Sequence, residues 1–271
     1  MKSLGAALEI ATATHSGMVR SHNEDSIAAD ADAGLAVLAD GMGGYNAGEV
    51  ASGIAVEMIR TELKAALASK QPEEMNSQGA EQLIVEKAGR ANIAIYQAAQ
   101  NQPQFSGMGT TLVVALWCDN RMAVGHVGDS RLYRMRGGVL EQITRDHSLL
   151  QEQIDSGMIT KEQARHSQNK NLVTRAVGID PEVDTEVHTY PVQPGDLFLL
   201  CSDGLSDMVT DEDIELTLSS LQANLQLAAQ QLVQQANDNG GRDNISVILV
   251  RVTQDFAART SVMDKLKTWF R

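Results

Sequence analysis

The chain has 271 residues, and its hydrophobic share of 43% is typical of a globular protein with one large core or at most two domains. Its 35 acidic residues outnumber 22 lysines and arginines, and the net charge of −13 argues against a nucleic-acid partner, which requires a basic face. No apolar run approaches the ~20 residues of a membrane span, and the N-terminus lacks a signal-peptide pattern. The two cysteines, Cys118 and Cys201, lie beside apolar strands, so we expect a cytoplasmic protein without disulfides.

The N-terminal part of the chain predicts two strands followed by two helices. Residues 8–12 open like a strand, and residues 17–25 form a charged stretch typical of a solvated loop. Residues 34–39 form a near-continuous apolar strand. Apolar residues at helical spacing then predict amphipathic helices over about 48–68 and 82–99.

The remainder of the chain predicts a β-rich middle and a mixed C-terminal part. Asp119-Asn120 and Gly137-Gly138 each separate two apolar runs, which indicates two hairpins. The polar segment 144–178 has two short helical patterns and a capping-box match at Thr160, and we interpret it as a lid-like insertion. The other predicted elements are strands near 185–190, 196–201 and 245–252, a helix starting at Thr210, and a helix over about 225–236.

The C-terminal tail, residues 253–271, has a different character from the rest of this acidic chain. Val262, Leu266, Trp269 and Phe270 fall roughly on one helical face, with basic residues among them. This pattern indicates a basic amphipathic helix. A helix packed on its own domain, or a frayed terminus, explains it better than a membrane or partner anchor.

Aspartates at strand edges are the strongest chemical signal in the sequence. The motif Asp40-Gly41-Met42-Gly43-Gly44 directly follows an apolar strand, and its glycines allow the backbone to approach a ligand closely. An isolated Asp-Gly pair is more typical of a hairpin turn. Aspartates of the same kind recur, however, at Asp129, Asp203 and Asp243. The recurrence favours a shared site over four unrelated turns.

The residue types of this set indicate a hard divalent cation. Carboxylates and a glycine carbonyl form an oxygen-only donor set, which suits magnesium and manganese. A buried cluster of unpaired carboxylates would be very unstable, so their convergence would require cations among them. Two ions about 3.5–4 Å apart would deprotonate a bridging water and hold a transferring oxyanion. Arg20 could supply the planar group that binds phosphate oxygens.

Motifs of other phosphate-handling proteins are absent from the sequence. It contains neither the GxxxxGK[ST] loop of nucleotide hydrolases nor a GxGxxG match after residue 40. Neither cysteine has an arginine six positions later, which excludes the usual cysteine-nucleophile phosphatase loop. Asp30-Ala31-Asp32 resembles a phosphoaspartate motif, but we expect it in a solvent-facing loop.

Six motifs occur in the order found in one enzyme family. They are Arg20-Ser21-His22-Asn23-Glu24-Asp25, Asp40-Gly41-Met42-Gly43-Gly44, Gly107-Met108-Gly109-Thr110-Thr111, Gly128-Asp129-Ser130-Arg131, Ser202-Asp203-Gly204 and Asp243-Asn244. With these motifs the chain closely resembles the bacterial branch of the metal-dependent protein serine/threonine phosphatases of type 2C (PP2C, or PPM). The resemblance covers about residues 8–252, and so many motifs in the correct order make it highly specific.

The resemblance implies an α+β fold: a four-layer α-β-β-α sandwich of two antiparallel sheets with helices on both outer faces. Residues 1–252 would form the catalytic domain, with residues 144–178 as the variable flap beside a metal cleft. The implied reaction is hydrolysis of phosphoserine and phosphothreonine in proteins by a hydroxide that bridges two Mn²⁺ or Mg²⁺ ions, without a phosphoenzyme. A bacterial Ser/Thr kinase would be the natural counterpart, and we expect a monomer.

The resemblance also assigns metal ligands residue by residue. Asp40 would bridge two metals, and the Gly41 carbonyl would hold one of them. Asp203 and Asp243 would complete the other, while Asp129, together with Asp203, would form a third metal site.

The remaining implied roles concern phosphate, water and the leaving group. Arg20 would bind the phosphate, and Glu24 would orient a metal-bound water. The best-known eukaryotic members have a histidine after the Asp-Gly pair that is thought to protonate the leaving group, whereas this chain has Met42, as many bacterial relatives do. The general acid therefore stays open. His126 is one candidate, but its place on an apolar strand is more typical of a core histidine. A catalytically silent module that binds phosphoproteins is the alternative, although the complete set of aspartates disfavours it.

Overall fold

The computed structural model describes residues 3–44, 46–69, 76–165, 167 and 172–257. Within these residues, two antiparallel sheets pack face to face, and helices cover their outer faces. The α+β sandwich expected from the sequence is thereby confirmed.

Eleven strands and seven α-helices follow one another along the described chain. The strands are β1 (Leu8–His15), β2 (Asp25–Asp30), β3 (Leu35–Met42), β4 (Gly109–Thr110), β5 (Leu112–Cys118), β6 (Arg121–Val127), β7 (Arg131–Arg136), β8 (Val139–Gln142), β9 (Glu186–Pro191), β10 (Leu197–Cys201) and β11 (Ile245–Val252). The helices are α1 (Ala47–Ser69), α2 (Ser77–Asn101), α3 (Leu149–Asp155), α4 (Lys161–Arg165), α5 (Asp203–Ser206), α6 (Asp211–Ser220) and α7 (Leu225–Asp238).

The sheets differ in order and in the helices that cover them. One sheet has the order β1-β11-β10-β7-β8, and the other β2-β3-β5-β6-β9, with β4 paired to β3. Helices α1 and α2 pack on the second sheet, while α6 and α7 cover the first. The hairpins predicted at Asp119-Asn120 and Gly137-Gly138 are the β5–β6 and β7–β8 pairs.

Strand β3 shows why the sandwich has three apolar layers. Successive side chains of a strand point to opposite faces of the sheet. Leu35 and Val37 accordingly pack toward α1 and α2, whereas Ala36 and Leu38 pack into the layer between the sheets. In that central layer the ring of Trp117 meets Phe198 of the opposite sheet edge-on, at a centroid distance of 5.7 Å. A strand buried on both faces explains the near-continuous apolar run in the sequence.

Strand β2 is an element that the sequence analysis did not predict. All six of its residues, Asp25–Asp30, are half-buried, because the strand lies at the sheet edge and pairs on one side with β3. Its last residue, Asp30, accepts a hydrogen bond from Lys64 at 2.5 Å and another from the Ala33 backbone. Asp30, the first residue of the phosphoaspartate-like motif, therefore ends an edge strand, where a loop was expected, and forms an ion pair with α1.

The segment 144–178 contains the two short helices that its pattern indicated, α3 and α4. The predicted capping box is reciprocal: the Thr160 hydroxyl accepts from the Gln163 backbone N–H, and the Gln163 side chain accepts from the Thr160 N–H. An isolated bridge between Ser148 and Val173 joins the two ends of the segment, and a second bridge, between Thr110 and Val177, attaches it to the body of the protein.

The predicted amphipathic face of the tail, from Val262 onward, lies outside the described residues. The tail's first residues pack against the fold: the Thr253 N–H donates to the Ala7 carbonyl, and the Phe256 N–H donates to Asn120. Among the helices that the structure describes, none combines the length and the apolar character that crossing a membrane requires.

Candidate metal centre

Five aspartates from both sheets meet at one end of the sandwich; we call them the carboxylate cluster. They are Asp25, Asp40, Asp129, Asp203 and Asp243. Asp25 begins β2 and is the cross-strand partner of Asp40 in β3. Asp203 follows β10 as the first residue of α5, and Asp243 precedes β11, while Asp129 lies in the turn between β6 and β7. The structure thus brings together all four aspartates predicted from the sequence.

The members of the cluster repel one another electrostatically. Burial, followed by the charges of Asp25 and Asp203, raises the pKa of Asp40 well above its usual range. Burial and the charge of Asp129 do the same to the pKa of Asp203. Burial, followed by the charge of Asp146, raises the pKa of Asp129 to about 7. Without a positive ion among them, these groups would have to keep protons to coexist.

Two carboxylate oxygens of the cluster have no partner within the protein. Oδ1 of Asp25 and Oδ1 of Asp203 are buried and make no hydrogen bond. A buried acceptor without a donor costs about 1–3 kcal/mol, and more when it is charged. Cations would satisfy these oxygens, and an all-oxygen donor set suits Mn²⁺ and Mg²⁺. The residues present therefore fit divalent cations.

Asp25 is the member of the cluster to which the sequence analysis gave no role. Its Oδ2 accepts a hydrogen bond from the Ser202 hydroxyl at 2.8 Å. Burial raises its pKa to about 6. The residue stands in a polar stretch without an apolar run before it, so the strand-edge pattern that marked the other aspartates could not identify it.

The backbone of Asp40 is fixed by the two threonines of the Gly107–Thr111 motif. The Asp40 carbonyl accepts from the Thr111 N–H and from the Thr110 hydroxyl, both at 2.8 Å. The Asp40 N–H donates to the Thr111 hydroxyl at 3.0 Å. These contacts hold the end of β3 in one position.

Gly41 lies where no side chain can fit. A Cβ atom there would be 2.1 Å from the Gly48 carbonyl oxygen and 2.7 Å from that of Glu24. The start of α1 can therefore approach the end of β3 closely. Glu24 lies at the same junction, and burial is the main cause that raises its pKa.

Asn244 fastens the loop that carries Arg20 and Glu24. Its side-chain oxygen accepts from the Glu24 N–H at 2.7 Å, and its amide donates to the carbonyls of Ser16 and His22. In the sequence, Asn244 belongs to a motif that assigns it no role of its own. Its partners are backbone groups about 220 residues away, at Ser16, His22 and Glu24.

Arg20 lies at the rim of the cluster. Its guanidinium donates to Asp243 at 2.7 Å, and half of the side chain is exposed. That hydrogen bond, and the charge of Asp243, raise the pKa of Arg20. The charged groups of the rim are thus a cation and a carboxylate in direct contact.

His126 is held within the protein, as its sequence context favoured. It is almost fully buried, its Nε2 donates to the Arg145 carbonyl at 2.8 Å, and its ring stacks on His147. Burial is the main cause that lowers its pKa. These contacts describe a core histidine rather than a proton donor at the carboxylate cluster.

A second, largely buried polar group lies beside Asp129 and consists of Arg131, Tyr133, Gln142 and Asp146. We call it the flap-root cluster, because Asp146 lies at the start of segment 144–178, which the resemblance predicts to be a flap. Arg131 donates three hydrogen bonds to the Asp146 carboxylate, at 2.7, 3.0 and 3.1 Å, and one to the Tyr133 hydroxyl. Gln142 donates to the same carboxylate at 2.9 Å. Between the two clusters, a cavity of about 340 Å³ opens along α5 and the helices of segment 144–178.

Comparison with known proteins identifies the family. Residues 14–249 match the model of the family described as protein phosphatase 2C. The chain belongs to that family. It is 38% identical over 240 residues to the serine/threonine phosphatase stp of Listeria monocytogenes, covering 88% of this chain and 93% of that one. The predicted class, a metal-dependent protein phosphatase of type 2C, is confirmed.

Solved structures of relatives share the architecture. The Mycobacterium tuberculosis serine/threonine phosphatase PstP/Ppp superposes with a TM-score of 0.83 at 36% identity, covering 92% of this chain and all of that one. The catalytic domain of PstP in complex with two manganese ions superposes with a TM-score of 0.80, also at 36% identity, covering 92% and 99% of the two chains. Manganese is thus a cofactor of this phosphatase type.

Proposed function

We propose that this protein hydrolyses phosphoserine and phosphothreonine in other proteins. The observation that carries the proposal is the convergence of buried carboxylates with unpartnered oxygens at one end of a phosphatase 2C fold. Asp40, the Gly41 carbonyl, Asp203 and Asp243 would hold two Mn²⁺ or Mg²⁺ ions. Asp129, with Asp203, would hold a third.

Bound ions would lower the pKa of a water lying between them and stabilise the negative charge that develops on the phosphoryl oxygens. The protein's own residues prepare this step. Glu24 would orient the attacking water from its half-buried place beside α1. Asp25 would add negative charge next to Asp40 and so strengthen the attraction for cations.

Arg20 would bind the phosphate. Without ions, its guanidinium is the positive charge closest to Asp243, at 2.7 Å. With Asp243 holding a cation instead, the planar guanidinium of Arg20 would be free to bind two phosphoryl oxygens at once. Through this pair, cation binding would control whether the Arg20 guanidinium is available to bind phosphate.

Met42 cannot donate a proton to the leaving alkoxide, and proton donation typically contributes about 10²–10⁴-fold. In an aryl phosphate series, we therefore expect kcat to fall steeply as the pKa of the leaving group rises. A shallow dependence would contradict this expectation and point to an acid elsewhere in the cleft. A bacterial Ser/Thr kinase would supply the substrates. The monomeric state and the cytoplasmic location stay predictions from the sequence.

Release of phosphate from a phosphothreonine peptide tests the proposed function. We expect turnover with Mn²⁺ or Mg²⁺, loss of turnover with EDTA, and recovery when the metal is restored. The matched control is Asp243→Asn, which removes a proposed ligand and should lose turnover under every condition. Full activity in excess EDTA would overturn the metal mechanism, and peptide binding without turnover would indicate a silent module.

A further inference from the structure

His147 lies at the root of the flap and contacts the residue that precedes Asp129. Its backbone N–H donates to the Gly128 carbonyl at 2.9 Å. Its ring nitrogen Nδ1 accepts from the Gly128 N–H at 3.2 Å. The side chain is almost fully buried. Both hydrogen-bonding groups of the Gly128 backbone are therefore bound to this single residue.

The two remaining contacts of the His147 ring fix its orientation. A backbone N–H can only donate, so Nδ1 is the unprotonated nitrogen, and Nε2 carries the proton. Nε2 lies 3.2 Å from a carboxylate oxygen of Glu186 and donates to it. One face of the ring stacks on His126, with 4.6 Å between the ring centroids and 19° between the ring planes. The imidazole is thus held at its edge and on its face.

Gly128 has a backbone conformation and a close approach to Thr111 that favour glycine at this position. Its φ of +98° belongs to the region that favours glycine, and a Cβ there would lie 2.8 Å from the Thr111 side chain. On the other side of Asp129, the Ser130 hydroxyl bonds to the Thr111 hydroxyl at 2.7 Å. His147 and Thr111 therefore hold the two ends of the turn whose central residue is Asp129.

His126, His147 and Glu186 could themselves be taken for a metal site, since one ligand atom from each lies within 4.8 Å of the others. Their hydrogen bonds oppose that interpretation. Nε2 of His147 carries a proton directed at Glu186, and Nε2 of His126 donates to the Arg145 carbonyl. The two rings are also nearly parallel, so their in-plane lone pairs do not converge on one point.

We infer that His147 is a positioning residue for Asp129, and that its Nδ1, by holding Gly128, sets the affinity of the third metal site. The inference rests on the proposed function only for the assignment of that site. The geometry also places the flap root and the third site on one backbone turn. A variant that keeps an acceptor at the position of Nδ1 should therefore keep the site.

Two variants of similar shape distinguish the roles of the two ring nitrogens. In His147→Asn, the amide oxygen can take the place of Nδ1 and accept from the Gly128 N–H. In His147→Gln, the amide reaches instead to the place of Nε2, beside Glu186. By calorimetry with Mn²⁺, we expect His147→Gln to weaken the third site about tenfold, the effect of one buried hydrogen bond. We expect His147→Asn to stay within about threefold of wild type, with the two central sites unchanged in both variants.

A second readout does not depend on metal or activity. In the metal-free protein, the Gly128 amide resonance should move when its acceptor is lost in His147→Gln and should stay close to wild type in His147→Asn. Glu186→Ala, on the half-exposed strand β9, removes the acceptor of Nε2. It replaces the histidine variants as the test if those variants do not fold. It should weaken the third site about threefold, because the ring loses its fixed orientation.

Equal effects of the Asn and Gln variants would overturn the inference, as would weakening of all three sites together. A metal ion bound in wild type and lost in every histidine variant while the Asp129 site is kept would show that His147 is itself a ligand. Asp129→Asn identifies the third site independently. If that variant keeps every ion, the site assignment in the proposed function fails, whereas the Gly128 resonance still reports on the contact with His147.

Discussion

The carboxylate cluster and the flap-root cluster are neighbouring buried polar groups of opposite kinds. In the flap-root cluster, the Asp146 carboxylate receives donors from Arg131 and Gln142, and the Tyr133 hydroxyl links Arg131 to Asp211. In the carboxylate cluster, like charges face one another and two oxygens lack donors. In this protein the satisfied cluster accordingly supports the fold, whereas the unsatisfied carboxylates fit cations from outside.

Asp40→Asn tests the incomplete cluster and should have the largest effect. Removing this charge should lower kcat on a phosphopeptide by on the order of 10²-fold or more, since it removes metal affinity and transition-state stabilisation. The metal-free variant should nevertheless melt at a higher temperature than wild type, because one repelling charge has gone. Steady-state kinetics and thermal unfolding in EDTA measure the two effects. Activity near wild type, or a lower melting temperature without metal, would contradict the comparison.

Arg131→Met tests the complete cluster. It leaves Asp146 buried without its charged partner, and breaking a buried pair typically costs about 3–5 kcal/mol. We expect a loss near the lower end of that range, because about a quarter of the Arg131 side chain is exposed. Urea unfolding with saturating Mn²⁺ measures the loss. The double variant Arg131→Met/Asp146→Leu should recover part of it, and an unchanged free energy of unfolding in the single variant would refute the structural role.

The pH dependence of stability separates the clusters without mutation. In the metal-free protein, the pKa is about 6 for Asp25 and about 7 for Asp129, against an ordinary value of 3.8. The folded state therefore binds more protons than the unfolded state. The stability that these protons contribute is fully present below about pH 4 and is lost as the pH rises through 6 and 7.

Melting temperatures between pH 5 and 8 measure this dependence. They should fall with rising pH in EDTA and change much less with Mn²⁺, which takes the place of the protons. Parallel curves in the two conditions would mean that cations do not bind among these carboxylates.

Arg20→Ala tests whether the rim of the cluster contributes to phosphate binding rather than to catalysis. It should have the smallest effect of the changes considered. The guanidinium is half-exposed, and a ground-state phosphate contact contributes mainly to KM. We expect KM for an aryl phosphate to rise several-fold with kcat nearly unchanged. Arg20→Lys keeps the charge without the planar fork and should recover part of the affinity. An unchanged KM in the alanine variant would show that Arg20 does not contact phosphate.

Local patterns of the sequence predicted most of the strands and most of the cluster, whereas the sandwich was implied by the resemblance to phosphatases of type 2C. Asp40, Asp203 and Asp243 each adjoin an apolar strand, and a motif of glycine or polar residues marks each end. Asp25 carries no such mark, since Ile27 is the one large apolar residue of the edge strand β2. Because an edge strand pairs on one side only and is half-buried, its sequence shows a weak hydrophobic pattern.

The contacts of Asn244 and His147 could not be predicted from sequence for a different reason. Asn244 bonds to backbone groups more than 200 residues away, and His147 bonds to the backbone of Gly128. Backbone partners leave no residue-type signature in the sequence. Such contacts become visible when the chain has been folded in three dimensions.

The carboxylate cluster takes Asp25 and Asp40 from one sheet and draws Asp203 and Asp243 from the ends of strands in the other. An ion bound by residues of both sheets would therefore also cross-link the two halves of the sandwich. Part of its binding free energy would then act against separation of the sheets. Amide hydrogens at this end should exchange more slowly when metal is bound. A substitution in the central layer, such as at the distant Trp117–Phe198 contact, should in turn alter metal affinity without touching a ligand.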